Sequence, residues 1–328
     1  MPTASFLWQT ASEKKSLPIL SFPAAQKLGV PVKELLLSSD LQAMAMAYVA
    51  NETPAAAAVS LMDLSVEAEA FGAAVRFMEN EVPAVEGRLV DGEDAAKALA
   101  IPSLEKGRAL LCVEAVHKAK KLISNKPVFA GIIGPYSLAG RLMDVTEILY
   151  ACYDDPEVVL TVLEKATQYL LTYCRAFKAA GADGIIMAEP LAGLLSPDMA
   201  QTFSCQAVKR IINELQTEDF PIIYHNCGNS VPNMLPQLFD QGAAAFHFGN
   251  AVDMGQILAQ TPSNVLVMGN IDPAGHFAGG TPETMREAVR ALMAKCGLYR
   301  NFIPSSGCDI PAHASWANIH AFFEAIHA

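Results

Sequence analysis

The chain reads as an α/β protein: a single (β/α)8 TIM barrel with an N-terminal helical extension. Three observations predict this. Short apolar runs rich in Val, Ile and Phe alternate with longer segments of helical periodicity. Those runs are continuously apolar, as parallel strands covered on both faces require. A length of 328 residues suits one α/β barrel as a single unit. No linker, low-complexity tract or repeat divides the chain. It therefore reads as a barrel over residues 51–328 carrying an extension, residues 1–50, packed on it. The alternative is an open doubly wound sheet, which the lack of a Gly-x-Gly-x-x-Gly turn after an early strand disfavours for a dinucleotide-binding protein.

Taken in chain order, the extension holds helical pieces at 31–37 and 40–49. Strands are expected at 56–62, 128–133, 184–188, 222–225, 243–248, 265–268 and 301–304, with a less regular eighth near 82–89. Helices at 156–180, 197–214, 231–241 and 282–295 lie between them. Pro156, Pro197 and Pro282 follow Asp155, Ser196 and Thr281, the cap-then-proline pattern of a helix start. Gly181 and Gly297 stand where helices stop.

Composition narrows the function. With 23 Lys and Arg against 34 Asp and Glu, the formal charge is −11. That balance argues against a nucleic-acid partner, because phosphate binding needs a basic face. A content of 52% hydrophobic and 17% charged residues excludes a disordered chain. The longest apolar stretch, residues 55–66, is cut by Asp63 and falls short of the roughly 20 residues a membrane helix needs. Residues 1–16 lack the pattern of a secretory signal. Seven scattered cysteines, an odd number, read as reduced thiols in a cytoplasmic protein.

Polar residues fall just beyond the C-terminal ends of successive strands. Asp63 follows the first, Tyr136 and Ser137 the second, Glu189 the third, and His225 and Cys227 the fourth. His247 and Asn250 close the fifth, Asn270 and Asp272 follow the sixth, and Cys308 follows the last. In a parallel barrel these ends share one rim, where active sites of this fold sit.

His225 and Cys227 stand two residues apart on an extended chain, so both point to one side. Cys308, at the end of a later strand, can meet them across the barrel mouth. One imidazole and two thiolates suit zinc, with a position left for a substrate. Cys112, Cys152, Cys174, Cys205 and Cys296 lie in or beside helical segments without partners at ligand spacing and read as structural. His117, His320 and His327 read as surface residues on helices, while His276 and His313 fall in loops near the rim.

The ordered stretches 131–140, 180–184, 188–190, His225-Asn226-Cys227-Gly228-Asn229, 268–273, 280–283 and Gly307-Cys308-Asp309-Ile310-Pro311 resemble the uroporphyrinogen decarboxylase superfamily. Within it they resemble the corrinoid-dependent methyltransferases of the methylcobalamin:coenzyme M type. The likeness runs from about Asp40 to the C-terminus. It implies zinc held by His225, Cys227 and Cys308, a small thiol activated as zinc thiolate, and a methyl group carried as methylcobalamin or on a methylated corrinoid protein. The arginine-rich N-terminal stretch typical of the decarboxylases is absent: the first 75 residues contain no arginine. Related zinc enzymes often add a carboxylate ligand from the strand after the His-x-Cys strand, and here that strand offers His247. As fourth ligand it would make the site His2Cys2 and formally neutral. Glu189 would orient a ligand or contact substrate, and Tyr136 and Ser137 would shape the pocket floor. Asn250, Asn270 and Asp272 on the same rim complete the candidate cofactor contacts. The alternatives are a decarboxylase of the same fold and a non-catalytic corrinoid- or thiol-binding barrel. The oligomeric state leaves no mark in the sequence.

Overall fold

A computed structural model describes residues 4–326; His327 lies outside them. Among these residues the strands are β1 (Ala58–Val59), β2 (Ala74–Arg76), β3 (Ala84–Glu86), β4 (Val128–Ile133), β5 (Gly184–Ala188), β6 (Ile222–Asn226), β7 (Ala245–Phe248), β8 (Val267–Ile271) and β9 (Phe302–Ser306). Seven of them form one parallel sheet in the order β1-β4-β5-β6-β7-β8-β9, with helices between successive strands. The expected parallel α/β architecture is present with seven laddered strands.

The expected eighth strand near 82–89 is not one of them. Its central residues, β3, pair antiparallel with β2 as a separate hairpin. The physical reason is composition. This hairpin carries exposed and half-buried side chains, with Arg76 and Glu86 paired across it. A strand inside a parallel sheet must be apolar on both faces. Residues 16–19 run instead between the two ends of the sheet. Ser16 O accepts from Ala56 N at 2.8 Å, and Leu17 N donates to Pro304 O at 3.2 Å. Ile19 N donates to Ser306 Oγ at 3.1 Å. The sheet is thereby bridged from β1 to β9 by early chain.

Helix starts follow the local chemistry. Thr281 caps Pro282–Cys296 with a reciprocal bond to Thr284, and Ser196 caps the helix beginning at Pro197. The helix Pro156–Ala179 ends at Gly181, whose φ of +97° a side chain would resist. There Ala182 N reaches back to Phe177 O at 3.0 Å. The expected helix 231–241 is broken into Val231–Asn233 and Leu235–Phe239. Pro236 supplies no amide hydrogen to carry one helix through. His117 and His320 are exposed, as expected of surface helices.

Strand periodicity of two sorts the sheet's side chains into layers. Val128, Ala130, Ile132, Ile185, Met187, Ile222, Tyr224, Phe246 and Phe302 pack outward beneath the helices. Phe129, Ile186, Ala188, Ile223, Ala245, Met268 and Ile303 fill the interior, where Leu7 and Ala11 of the helix Ala4–Ser12 join them. This parity decides what reaches the site. His225, His247 and Ser305 share the inward parity of Ile223, Ala245 and Ile303; Glu189 shares the outward parity of Ile185 and Met187. No helix of the described residues is long and apolar enough to cross a membrane.

Candidate metal centre

β6 and β7 pair in parallel with His225 opposite His247, and Ala188 of β5 opposite His225. Both imidazoles therefore enter the interior at one level, buried to within 2% of full burial. His225 Nδ1 lies 3.2 Å from His247 O and 2.7 Å from His247 Nδ1. A carbonyl only accepts, so the His225 hydrogen sits on Nδ1 and its Nε2 keeps a free lone pair. His247 Nδ1 then accepts, and its Nε2–H donates to Ser305 Oγ at 2.8 Å. Ser305 passes its own hydrogen to Leu17 O at 2.7 Å. Every partner in this chain is satisfied with both rings neutral. Burial, then the neighbouring His225, hold the His247 pKa well below the ordinary histidine value.

The free Nε2 of His225 faces Cys308 Sγ at 3.4 Å. Cys227 follows on the same parity, and the donor atoms of His225, Cys227 and Cys308 all lie within 4.8 Å of one another. Tetrahedral zinc, about 2.3 Å from sulfur and 2.0–2.1 Å from nitrogen, places neighbouring S and N donors roughly 3.6 Å apart. The three residues fit that ion. The Cys227 thiol is pushed down, chiefly because the Cys308 thiol donates to it, with His225 close beside it. Cys308 is held high by the negative Cys227 beside it and by burial. The pair thus already shares one thiolate. By contrast, burial raises Cys205 and Cys296 to about 11, as expected of inert packed thiols. None of the seven cysteines is in a disulfide.

A cavity of about 230 Å³ opens onto these three side chains. Asp63, Arg141 and Asp309 contribute its polar wall; Met62, Leu64 and Val85 are among its apolar lining. The β2–β3 hairpin thus forms part of the wall. Asp63 is bound at 2.5 Å to Arg108, which also reaches Glu69 at 2.7 Å and Ser65 at 2.9 Å.

The structure places the other expected site residues elsewhere. His247 backs His225 with both nitrogens engaged and does not join the three-residue cluster. Glu189 is fully buried behind the cavity, as its outward parity dictates. Its carboxylate accepts from Tyr136 N at 3.0 Å and Ser137 N at 2.5 Å, at the first turn of the helix Pro135–Met143. Burial raises its pKa to about 7 against those hydrogen bonds. Tyr136 turns its hydroxyl to Cys152 Sγ at 3.6 Å, and Ser137 Oγ accepts from Leu191 N at 3.1 Å. Asn250, Asn270 and Asp272 gather at a separate depression with Asp253 and Lys295. Asn270 there donates to Gly249 O and Val252 O, and Asp272 caps Pro273–Ala278.

Ser305, Arg141 and Asp309 were not singled out from the sequence. Strand parity with Ile303 identifies Ser305 once the register is known. Arg141 carries no comparable signal, since it stands in a helix after the strand.

The sequence profile of the family described as uroporphyrinogen decarboxylase (URO-D) matches residues 19–328. The methylcobamide:CoM methyltransferase MtbA of Methanosarcina acetivorans is 26% identical over 271 residues, covering 80% of this chain and 76% of its own. A uroporphyrinogen decarboxylase of Ectopseudomonas mendocina is 28% identical over 285 residues, covering 83% and 78%. A methyltransferase from Methanosarcina mazei superposes over 100% of this chain and 99% of its own, with a TM-score of 0.87 at 20% identity. That likeness is one of fold, and identity alone does not separate the two activities. The matched profile, spanning the whole parallel sheet and all three clustered donors, assigns the chain to the uroporphyrinogen decarboxylase (URO-D) family.

Proposed function

We propose that this chain is a zinc-dependent methyltransferase that moves a methyl group from a methyl-Co(III) corrinoid, carried on a partner protein, to a small thiol. The observation that carries the reading is the convergence of His225, Cys227 and Cys308 on one face of a small cavity. Two thiolates and an imidazole are the donor chemistry of zinc rather than of a metal-free decarboxylase. The MtbA relatives, whose name specifies methyl transfer from a methylcobamide to CoM, support the same class. The cavity volume weighs against the decarboxylase alternative. At about 230 Å³ it lies below the roughly 300–1,000 Å³ of drug-sized ligand pockets, whereas a porphyrinogen is a larger, multiply charged ring.

His225, Cys227 and Cys308 would hold the ion, and its charge would keep an acceptor thiol ionised at neutral pH. His225 is held by His247 in the tautomer that presents Nε2. Met62, Leu64 and Val85 give the cavity wall an apolar face. The corrinoid would supply the methyl group, which would pass to the acceptor sulfur while the electron pair of the carbon–cobalt bond stays on the cobalt. The chain's share is positioning and electrostatics; the alkyl-cobalt reactivity belongs to the corrinoid. Seven unpaired cysteines fit a reducing, cytoplasmic setting.

The test joins metal analysis to a methylcobalamin assay with a panel of small thiols. About one zinc per chain is expected, lost in Cys308→Ala, together with thiol-dependent demethylation. Carbon dioxide release from uroporphyrinogen without a metal requirement would instead establish the decarboxylase reading.

A further inference from the structure

The walls of the cavity are not equally fixed. Most of its lining comes from the parallel sheet and the segments that follow its strands, but Val82, Pro83 and Val85 belong to the β2–β3 hairpin, which is not laddered to that sheet. From Ala74 to Leu89 no residue is buried, whereas Ala73 and Val90 at either end pack into the core. Among the described residues, 74–87 make a single hydrogen bond to the rest of the chain, with Lys33 N donating to Glu79 O at 3.1 Å. The other tie is aromatic. The Arg108 guanidinium lies over the Phe77 ring, 4.7 Å from its centroid, and Arg108 is itself pinned by Asp63 and Glu69. A lone two-stranded hairpin is marginally stable, and segments with few buried side chains are the ones that open locally. Gly87, just after β3, has a φ of +72° and open space where a side chain would stand, so the backbone is free to turn there.

A steric requirement falls on this loosely held wall. A methyl carbon must come within about 3–3.5 Å of the acceptor sulfur, and in an alkyl corrinoid the macrocycle stands directly behind that carbon. A cavity of about 230 Å³ has no room for such a ring. One side of the mouth must withdraw, and the hairpin is the side that no sheet ladder holds. We infer that residues 74–86 form a lid that swings from the cavity mouth at Gly87 to admit the macrocycle of the methyl donor, with Phe77 on Arg108 as its latch. The inference rests on the methyl-transfer reading above and names how the donor reaches that site. Closed, the lid leaves space for a small thiol alone; open, it uncovers the three donor residues.

The experiment measures access to Cys227 and Cys308 in chelator-treated protein by peptide mass spectrometry. Two thiol reagents are compared: iodoacetamide, which a small cavity admits, and a maleimide carried on polyethylene glycol, which needs an open mouth. Phe77→Ala removes the latch and should raise the maleimide rate at these two cysteines by about threefold or more, as loss of a contact of that strength raises the open population. Iodoacetamide labelling should change little, and Phe77→Tyr, which keeps the ring, should match wild type. Gly87→Ala strains the closed backbone without a clash, since its methyl meets nothing within 4 Å, and should raise the maleimide rate as well. In zinc-loaded protein, Phe77→Ala should lower the KM for methylcobalamin by a similar factor with kcat unchanged, because apparent affinity follows the open fraction. Equal maleimide rates in wild type, Phe77→Ala and Gly87→Ala overturn the lid and make the hairpin a fixed wall. Raised rates with an unchanged methylcobalamin KM overturn the corrinoid as the group admitted. Failure of zinc-loaded wild type to demethylate methylcobalamin with any thiol overturns the methyl-transfer reading, while the labelling rates still decide the lid.

Discussion

His225 and His247 face each other Nδ1 to Nδ1 at 2.7 Å, on adjacent strands in exact register. Two Nδ1–H groups cannot meet at that distance, so one ring must donate and the other accept. The His247 carbonyl, also 3.2 Å from His225 Nδ1, settles the direction. His247 thus orients a candidate ligand from behind. Loss of such an orienting partner typically costs 10–100-fold in metal affinity. In His247→Phe, with the backbone carbonyl still in place, zinc affinity should fall about tenfold in chelator competition. An unchanged affinity would remove His247 from the site altogether.

Arg108 joins two carboxylates that lie 45 and 39 positions before it in the chain, Asp63 and Glu69. The contact with Asp63 is buried on both sides, so breaking it leaves an uncompensated carboxylate beside the cavity. Such losses cost about 3–5 kcal/mol. Arg108→Gln should lower the stability measured by denaturant unfolding by that amount. A change below about 1 kcal/mol would mean that Asp63 finds another partner or water.

Glu67 is 1% exposed, with one oxygen accepting from Ile133 N at 2.9 Å and the other unpartnered. Burial pushes its pKa up to about 7. The folded state therefore holds a proton that the unfolded chain, with an ordinary glutamate pKa near 4.3, gives up earlier. The associated stability is complete below pH 4 and is lost as pH rises toward 7. The span corresponds to something on the order of 3 kcal/mol. Glu67→Gln cannot ionise, so from pH 5 to pH 8 it should lose less stability than wild type, by up to that amount. Parallel unfolding curves across this range would place the Glu67 proton elsewhere.

Much of this was legible in the sequence because the parallel strands are continuous apolar runs. Residues 128–133 and 184–188 coincide with β4 and β5, and the cap-then-proline starts at Pro156 and Pro282 coincide with helix starts. The proximity of His225 to Cys227 follows from a period of two; their meeting with Cys308 required the fold. What escaped was side-chain direction. Glu189 stands at a strand end like His225, yet one step of parity turns it outward to a helix terminus. Asn250, Asn270 and Asp272 share the rim but bend to their own depression. The sheet-bridging residues 16–19 could not be found by strand periodicity, because Leu17 and Ile19 are held by contacts to the last strand some 290 positions on.

Gly249 offers a test of the site's packing that changes no polar group. It follows β7, and a Cβ built on it would lie 2.6 Å from Cys227 Cα and 2.7 Å from Cys227 Cβ. No rotamer relieves a clash with backbone, so the Cys227 segment must shift. Over-packing of this kind costs about 1–3 kcal/mol, too little to unfold a domain with typical stability. The thiol, however, has to meet Cys308 and His225 within tenths of an ångström for a common ion. Gly249→Ala should therefore stay folded by circular dichroism while losing at least tenfold in zinc affinity. Gly92→Ala, whose added methyl meets nothing within 4 Å, should keep both. Equal zinc affinity in the two variants would show that Cys227 is free to move or does not hold the metal.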